Sequence, residues 1–177
     1  MIELACPESC QYLEPAREQA IEREREMRAK DQAFETKIVP PVERRLVPLI
    51  LGIESAILRT QRKSARDLQD SEVQQALENA LKNLETESSG LIYEHRTPLL
   101  RVQELSEAIR AVPEWLAKES SMEYSFTRTD TVTALKYIQY RIETQMRRSE
   151  KETRSYIRSI ALFHPWSEET RSARLIV

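Results

Sequence analysis

Two glycines, two cysteines, two histidines and three phenylalanines are all this chain carries among 177 residues, and each shortage closes off a class of protein. Tight hairpins and phosphate-cradling loops are built on glycine, so strand-rich folds and nucleotide-binding glycine loops have little to work with. The strained turn that presents a nucleophilic serine is missing as well. Two cysteines make no disulfide framework, which fits a reducing compartment.

Histidine supply limits metal chemistry in the same way. A carboxylate-bridged di-iron bundle takes paired Glu-x-x-His motifs, and none occurs here. With only His95 and His164 available, a histidine-rich iron site lacks ligands. Long apolar runs are missing too. The longest mainly apolar stretch, Leu46 to Leu58, is too short to cross a bilayer and is interrupted by Pro48, Glu54 and Ser55. Residues 1–15 have no basic start, apolar middle and small-residue cleavage site, so a cytoplasmic protein with no membrane contact is expected.

What the chain does have is charge and helix formers: 32% charged residues beside 40% hydrophobic ones, enough apolar material to bury a core. The net charge of −2 conceals alternating blocks. Residues 1–36 carry −4, 37–69 carry +4, 70–128 carry −5 and 129–177 carry +3. Such blocks either pair with one another inside a bundle or present a basic face to a partner, and internal pairing is the commoner use.

Apolar residues recur at helical spacing over five stretches. From Ala16 to about Lys37 the chain reads as one very charged helix, with apolar or small residues at Leu13, Ala20, Met27 and Phe34, one every seven; this narrow seam needs a neighbour, in the same chain or another. Pro40-Pro41 ends it. A second helix presents Leu46, Leu49, Ile50, Ile53 and Ile57, with Pro48 implying a late start or a kink. A third, capped by Asp70 or Ser71, presents Val73, Leu77, Leu81, Leu84 and Leu91.

Thr97-Pro98 reads as cap and first turn of a fourth helix with Leu99, Val102, Leu105, Ile109 and Val112 inward, interrupted at Pro113. Glu119 to Thr129 is the longest loop. The last helix, capped by Asp130 or Thr129, carries Val132, Leu135, Ile138, Ile142 and Met146 and resumes with Ile157 and Ile160 before His164-Pro165. The charged section Arg147–Arg154 has no wide apolar face, so it extends past the bundle or makes thin contact. The expected fold is all-α: a mainly antiparallel bundle of about five long helices. It forms one domain over residues 1–177, with an N-terminal cap segment (1–13) and a short C-terminal tail (165–177).

Three sets of residues bear on function. Cys6 and Cys10, four apart, fall on one helical face and make half a zinc site, for which His95 is a further candidate ligand. The competing readings are two small apolar residues packing the cap, or a disulfide between them. Arg141, Arg147, Arg148, Arg154 and Arg158, with Tyr137, Tyr140 and Tyr156, could hold phosphates and stack bases of a nucleic acid. Glu143, Glu150 and Glu152 interleave with them, as in a solvated face of ion pairs. The polar first helix suits assembly. The expected function is therefore a non-catalytic helical scaffold or protein-interaction module that self-associates, with no cofactor unless zinc binds.

Overall fold

The computed structural model describes residues 41–64, 66–88, 97–119, 125–148 and 152–163, together with helical residues 15, 18, 19, 21–23, 25, 26 and 29. Contacts divide the chain into two units, Met1–Val39 and Pro40–Val177. In the first, the described residues are helical and exposed, Ile21 included.

The second unit is an all-α bundle. After a 3-10 turn over Arg44–Leu46 come α1 (Val47–Lys63), α2 (Asp70–Ser88), α3 (Leu100–Glu119), α4 (Arg128–Arg148) and α5 (Ser155–Phe163). The helices α1, α3, α2 and α4 form a closed ring of neighbours, and α5 lies on α1, α2 and α4. Every apolar position expected on the second helix is buried: Leu46 in the 3-10 turn, and Leu49, Ile50, Ile53 and Ile57 on α1. They meet Val73 and Leu77 of α2, Val102, Leu105, Ile109 and Val112 of α3, Leu135, Ile138 and Ile142 of α4, and Tyr156, Ile157 and Ile160 of α5 in one core. Burying such a side chain contributes about 1.5–3 kcal/mol, so this core is the main support of the fold.

Helix directions are mixed, where a mainly antiparallel arrangement was expected. Arg45 reaches Asp130 while Glu54 reaches Arg141, so α1 and α4 run the same way. Glu72 pairs with Arg101 and Glu87 with Arg110, so α2 and α3 also run together.

Several helix ends differ from expectation. Pro48 lies in the first turn of α1, giving the late start. At α2 the cap position belongs to Gln69, whose carbonyl accepts the Glu72 and Val73 N–H groups at 3.0 and 3.1 Å. Its own N–H is held by the Glu72 carboxylate at 2.9 Å. Asp70, expected to cap this helix, is turned elsewhere. Helix α3 starts after Pro98, because Thr97 holds that proline in a turn and the Leu99 carbonyl takes the first helical N–H groups. Leu99, expected inward, is consequently 46% exposed and Leu100 72%. Pro113 does not interrupt α3. A proline inside a helix costs roughly 3 kcal/mol; the burial of Val112 before it and Leu116 after it, each worth about 1.5–3 kcal/mol, offsets that cost.

The last long helix is two helices. Helix α4 is capped by Thr127, not by Thr129 or Asp130: Thr127 N–H donates to Asp130 Oδ2 at 2.9 Å and Asp130 N–H to Thr127 Oγ1 at 3.2 Å, a capping box. Helix α5 begins anew at Ser155 after a turn at Thr153 and Arg154. That turn is tied to the bundle, since the Thr153 carbonyl accepts the Asp70 N–H at 2.8 Å and Arg154 meets Asp67 at 2.5 Å.

One glycine sets a helix distance. A Cβ on Gly52 would come within 2.7 Å of Val112 Cγ1 and 3.3 Å of Leu116 Cδ1, so the bare backbone lets α1 and α3 close together.

Candidate functional site

Two groups of buried polar residues lie where α5 meets α1, α2 and α4. On α1, Glu54 shares the face of Ile50, Ile53, Ile57 and Leu58 and is buried with them. Its Oε1 pairs with Arg141 Nη1 of α4 and accepts the Tyr156 hydroxyl of α5 at 3.2 Å. The Arg141 guanidinium also lies 5.5 Å from the Tyr156 ring centre and 6.0 Å from that of Tyr137. The carboxylate is thus neutralised and hydrogen-bonded, and the cation is flanked by aromatic faces, as desolvated charges require.

The second group is Asp70, fully buried at the start of α2. Its Oδ2 accepts the Ser155 hydroxyl at 3.1 Å and the Tyr156 N–H at 2.9 Å, and its Oδ1 accepts the Ile157 N–H at 3.1 Å. A residue of α2 therefore caps α5, satisfying two of the donors that any helix start leaves open. Burial pushes the Asp70 carboxyl above the ordinary value of 3.8, against the lowering effect of those hydrogen bonds and of Arg154. Close by, Gln61 joins the loop to α1: its amide donates to Asp67 at 2.9 Å and its carbonyl accepts the Leu68 N–H at 2.6 Å.

At the other end of the bundle, Asp130 is held below the ordinary carboxylate range by the Thr127 backbone N–H, by Arg45 and by the Thr127 side chain. Between α2 and α3 runs a polar seam: Glu72 with Arg101, Gln75 with Thr97 and Glu87 with Arg110. In each of these places a carboxylate or amide joins two elements of the bundle. Among the described residues no group of three or more histidine, cysteine or carboxylate side chains converges as a metal site.

The residues singled out from the sequence fare differently. Cys6, Cys10, His95 and His164 lie outside the described residues, as do Leu13, Ala20, Met27, Phe34 and Leu91. Of the five arginines considered for phosphate, Arg141 is turned into the bundle with only 11% of its side chain exposed, because Glu54 draws it there. Arg147 pairs with Glu143 at 3.7 Å, Arg154 with Asp67 and Arg158 with Glu152 at 2.8 Å; Arg148 is exposed and also engaged. Tyr156 is fully buried and Tyr137 half-buried, so of the three tyrosines only Tyr140 is exposed. Arg141 and Tyr156 thus lie inside the bundle, whereas Arg147, Arg148, Arg158 and Tyr140 are exposed.

Glu54 had a readable signal, a lone acid on the most apolar helical face. Asp70 as the cap of α5 had none, since its partners are 85 residues away. No helix among the described residues is long and apolar enough to cross a membrane. No protein-family model, curated protein or solved structure matches this chain.

Proposed function

We propose that this chain is a non-catalytic helical scaffold or protein-interaction module that self-associates. The observation that supports the reading is the employment of the buried acids. Glu54, Asp70, Glu72 and Asp130 each hold two elements together through a basic side chain, a hydroxyl or backbone N–H groups. A general acid or base needs a site that substrate can reach, and these carboxylates face partners within the fold. What the bundle offers outward is helix surface, including the adjacent exposed Leu99 and Leu100.

Sedimentation equilibrium over a wide range of protein concentration tests the reading. A mass rising reversibly from one chain to two supports it. A single-chain mass at every concentration removes self-association, and turnover of any substrate lost in Glu54→Gln without loss of fold removes the non-catalytic claim.

A further inference from the structure

The end of α1 and the start of α3 come together with opposite charge. The Leu68 N–H is bonded to Gln61 of α1, so α2 starts beside the end of α1, and α3 runs with α2 from the Glu72–Arg101 pair onward. The last turns of α1 and the first turns of α3 therefore lie at one end of the bundle, on helices that pack against each other. Both belong to the unit Pro40–Val177.

On α1 the only acid, Glu54, is buried against Arg141, whereas Arg59 and Lys63 are exposed and Arg66 is exposed just beyond. Among the described residues none of the three meets a carboxylate. On α3 it is the bases that are taken: Arg101 by Glu72, Arg110 by Glu87 and Lys118 by Glu114 at 3.8 Å. Exposed Glu104 has no basic partner among the described residues, and exposed Glu107 accepts the Gln103 amide at 2.8 Å. Glu104, Ala108, Ala111 and Trp115 recur on one face of α3. The Arg59 guanidinium lies 5.2 Å from the Trp115 ring centre, so this face borders the basic end of α1. Ala108 is half-buried and Ala111 exposed, and side chains this small let another helix approach closely.

We propose that two copies of this chain pair through this α1–α3 face, Arg59, Lys63 and Arg66 of each meeting Glu104 and Glu107 of the other. The inference rests on the self-association proposed above and names its surface. A two-fold axis parallel to the helices sets α1 of one copy against α3 of its partner at the same height along the bundle, where cations and acids already stand level. The match is then made twice and the assembly closes as a dimer. Setting α1 on α1 instead would oppose like charges, so the pairing is fixed by sign.

Charge reversal on the full chain tests it, with sedimentation mass as the readout and helical circular dichroism as the check of fold. Glu104→Lys with Glu107→Lys weakens the dimer, its dissociation constant rising by about tenfold or more, and Lys63→Glu with Arg66→Glu does the same. Glu104→Gln with Glu107→Gln, a milder change, moves it in the same direction. Mixing the two reversed variants restores the dimer, because each reversed face then meets its opposite. Raising salt from about 50 mM to about 500 mM weakens the native dimer. A dimer indifferent to salt and to both reversals overturns the proposed surface while leaving self-association standing. Growth past two copies overturns the two-fold closure, and a monomer at every concentration removes both proposals.

Discussion

Replacing Asp70 by alanine asks whether α5 is held by its cap or only by its apolar face. The carboxylate accepts hydrogen bonds from Ser155, from the Tyr156 N–H and from the Ile157 N–H, all in a buried setting. Losing a helix cap costs about 0.5–2 kcal/mol, and stranding buried donors adds about 1–3 kcal/mol. Against this, removing the carboxylate spares the desolvation that raises its pKa. We expect a net loss of about 2–4 kcal/mol for Asp70→Ala, and about half of that for Asp70→Asn, which keeps one carbonyl acceptor. Denaturant unfolding followed by circular dichroism measures the loss, and amide hydrogen exchange at Tyr156 and Ile157 localises it.

The pH dependence gives an independent check. Since the folded-state pKa of Asp70 lies above 3.8, folded protein holds a proton that unfolded protein has released between those two values. Stability from this group therefore falls as pH rises through that window, and Asp70→Asn flattens the slope there. A cost below about 0.5 kcal/mol for Asp70→Ala, with exchange at Tyr156 and Ile157 unchanged, would refute the cap.

Other substitutions probe the rest of the framework. Glu54→Ala leaves Arg141 buried without its anion and should cost about 3–5 kcal/mol in the same unfolding assay, whereas Glu54→Leu combined with Arg141→Leu should recover most of it. Tyr156→Phe removes only the hydroxyl bond to Glu54 and should cost about 1 kcal/mol. Gly52→Ala places a methyl against Val112. Overpacking of about 1–3 kcal/mol then exceeds a helix-propensity gain of about 1 kcal/mol, and Val112→Ala in the same chain should relieve the strain. Asp130, with its pKa depressed, stabilises the fold above the ordinary carboxylate value and loses that effect as pH falls through its folded-state pKa. Asp130→Asn should flatten the acid limb of stability against pH.

Helix existence and buried faces were open to reading from the residues alone. Leu46, Leu49, Ile50, Ile53 and Ile57 repeat at the period of one turn, and whatever packs on them, that face must leave water. The late start at Pro48 was legible for the same reason, because backbone geometry at a proline is decided within a few residues. Pro113 shows where such local reasoning stops. Its intrinsic cost is outweighed by apolar burial on both sides, and that burial depends on α1 and the other helices around it.

Asp70 and Arg141 mark the remaining boundary. A local rule assigns Asp70 to the helix it begins and Arg141 to a basic surface; in the fold, Asp70 caps α5 and Arg141 neutralises Glu54. Helical periodicity is set by the 3.6-residue turn and so belongs to the sequence. Which charges meet, and whether neighbouring helices run together or opposed, depends on the packing of segments tens of residues apart, and only the tertiary structure decides it.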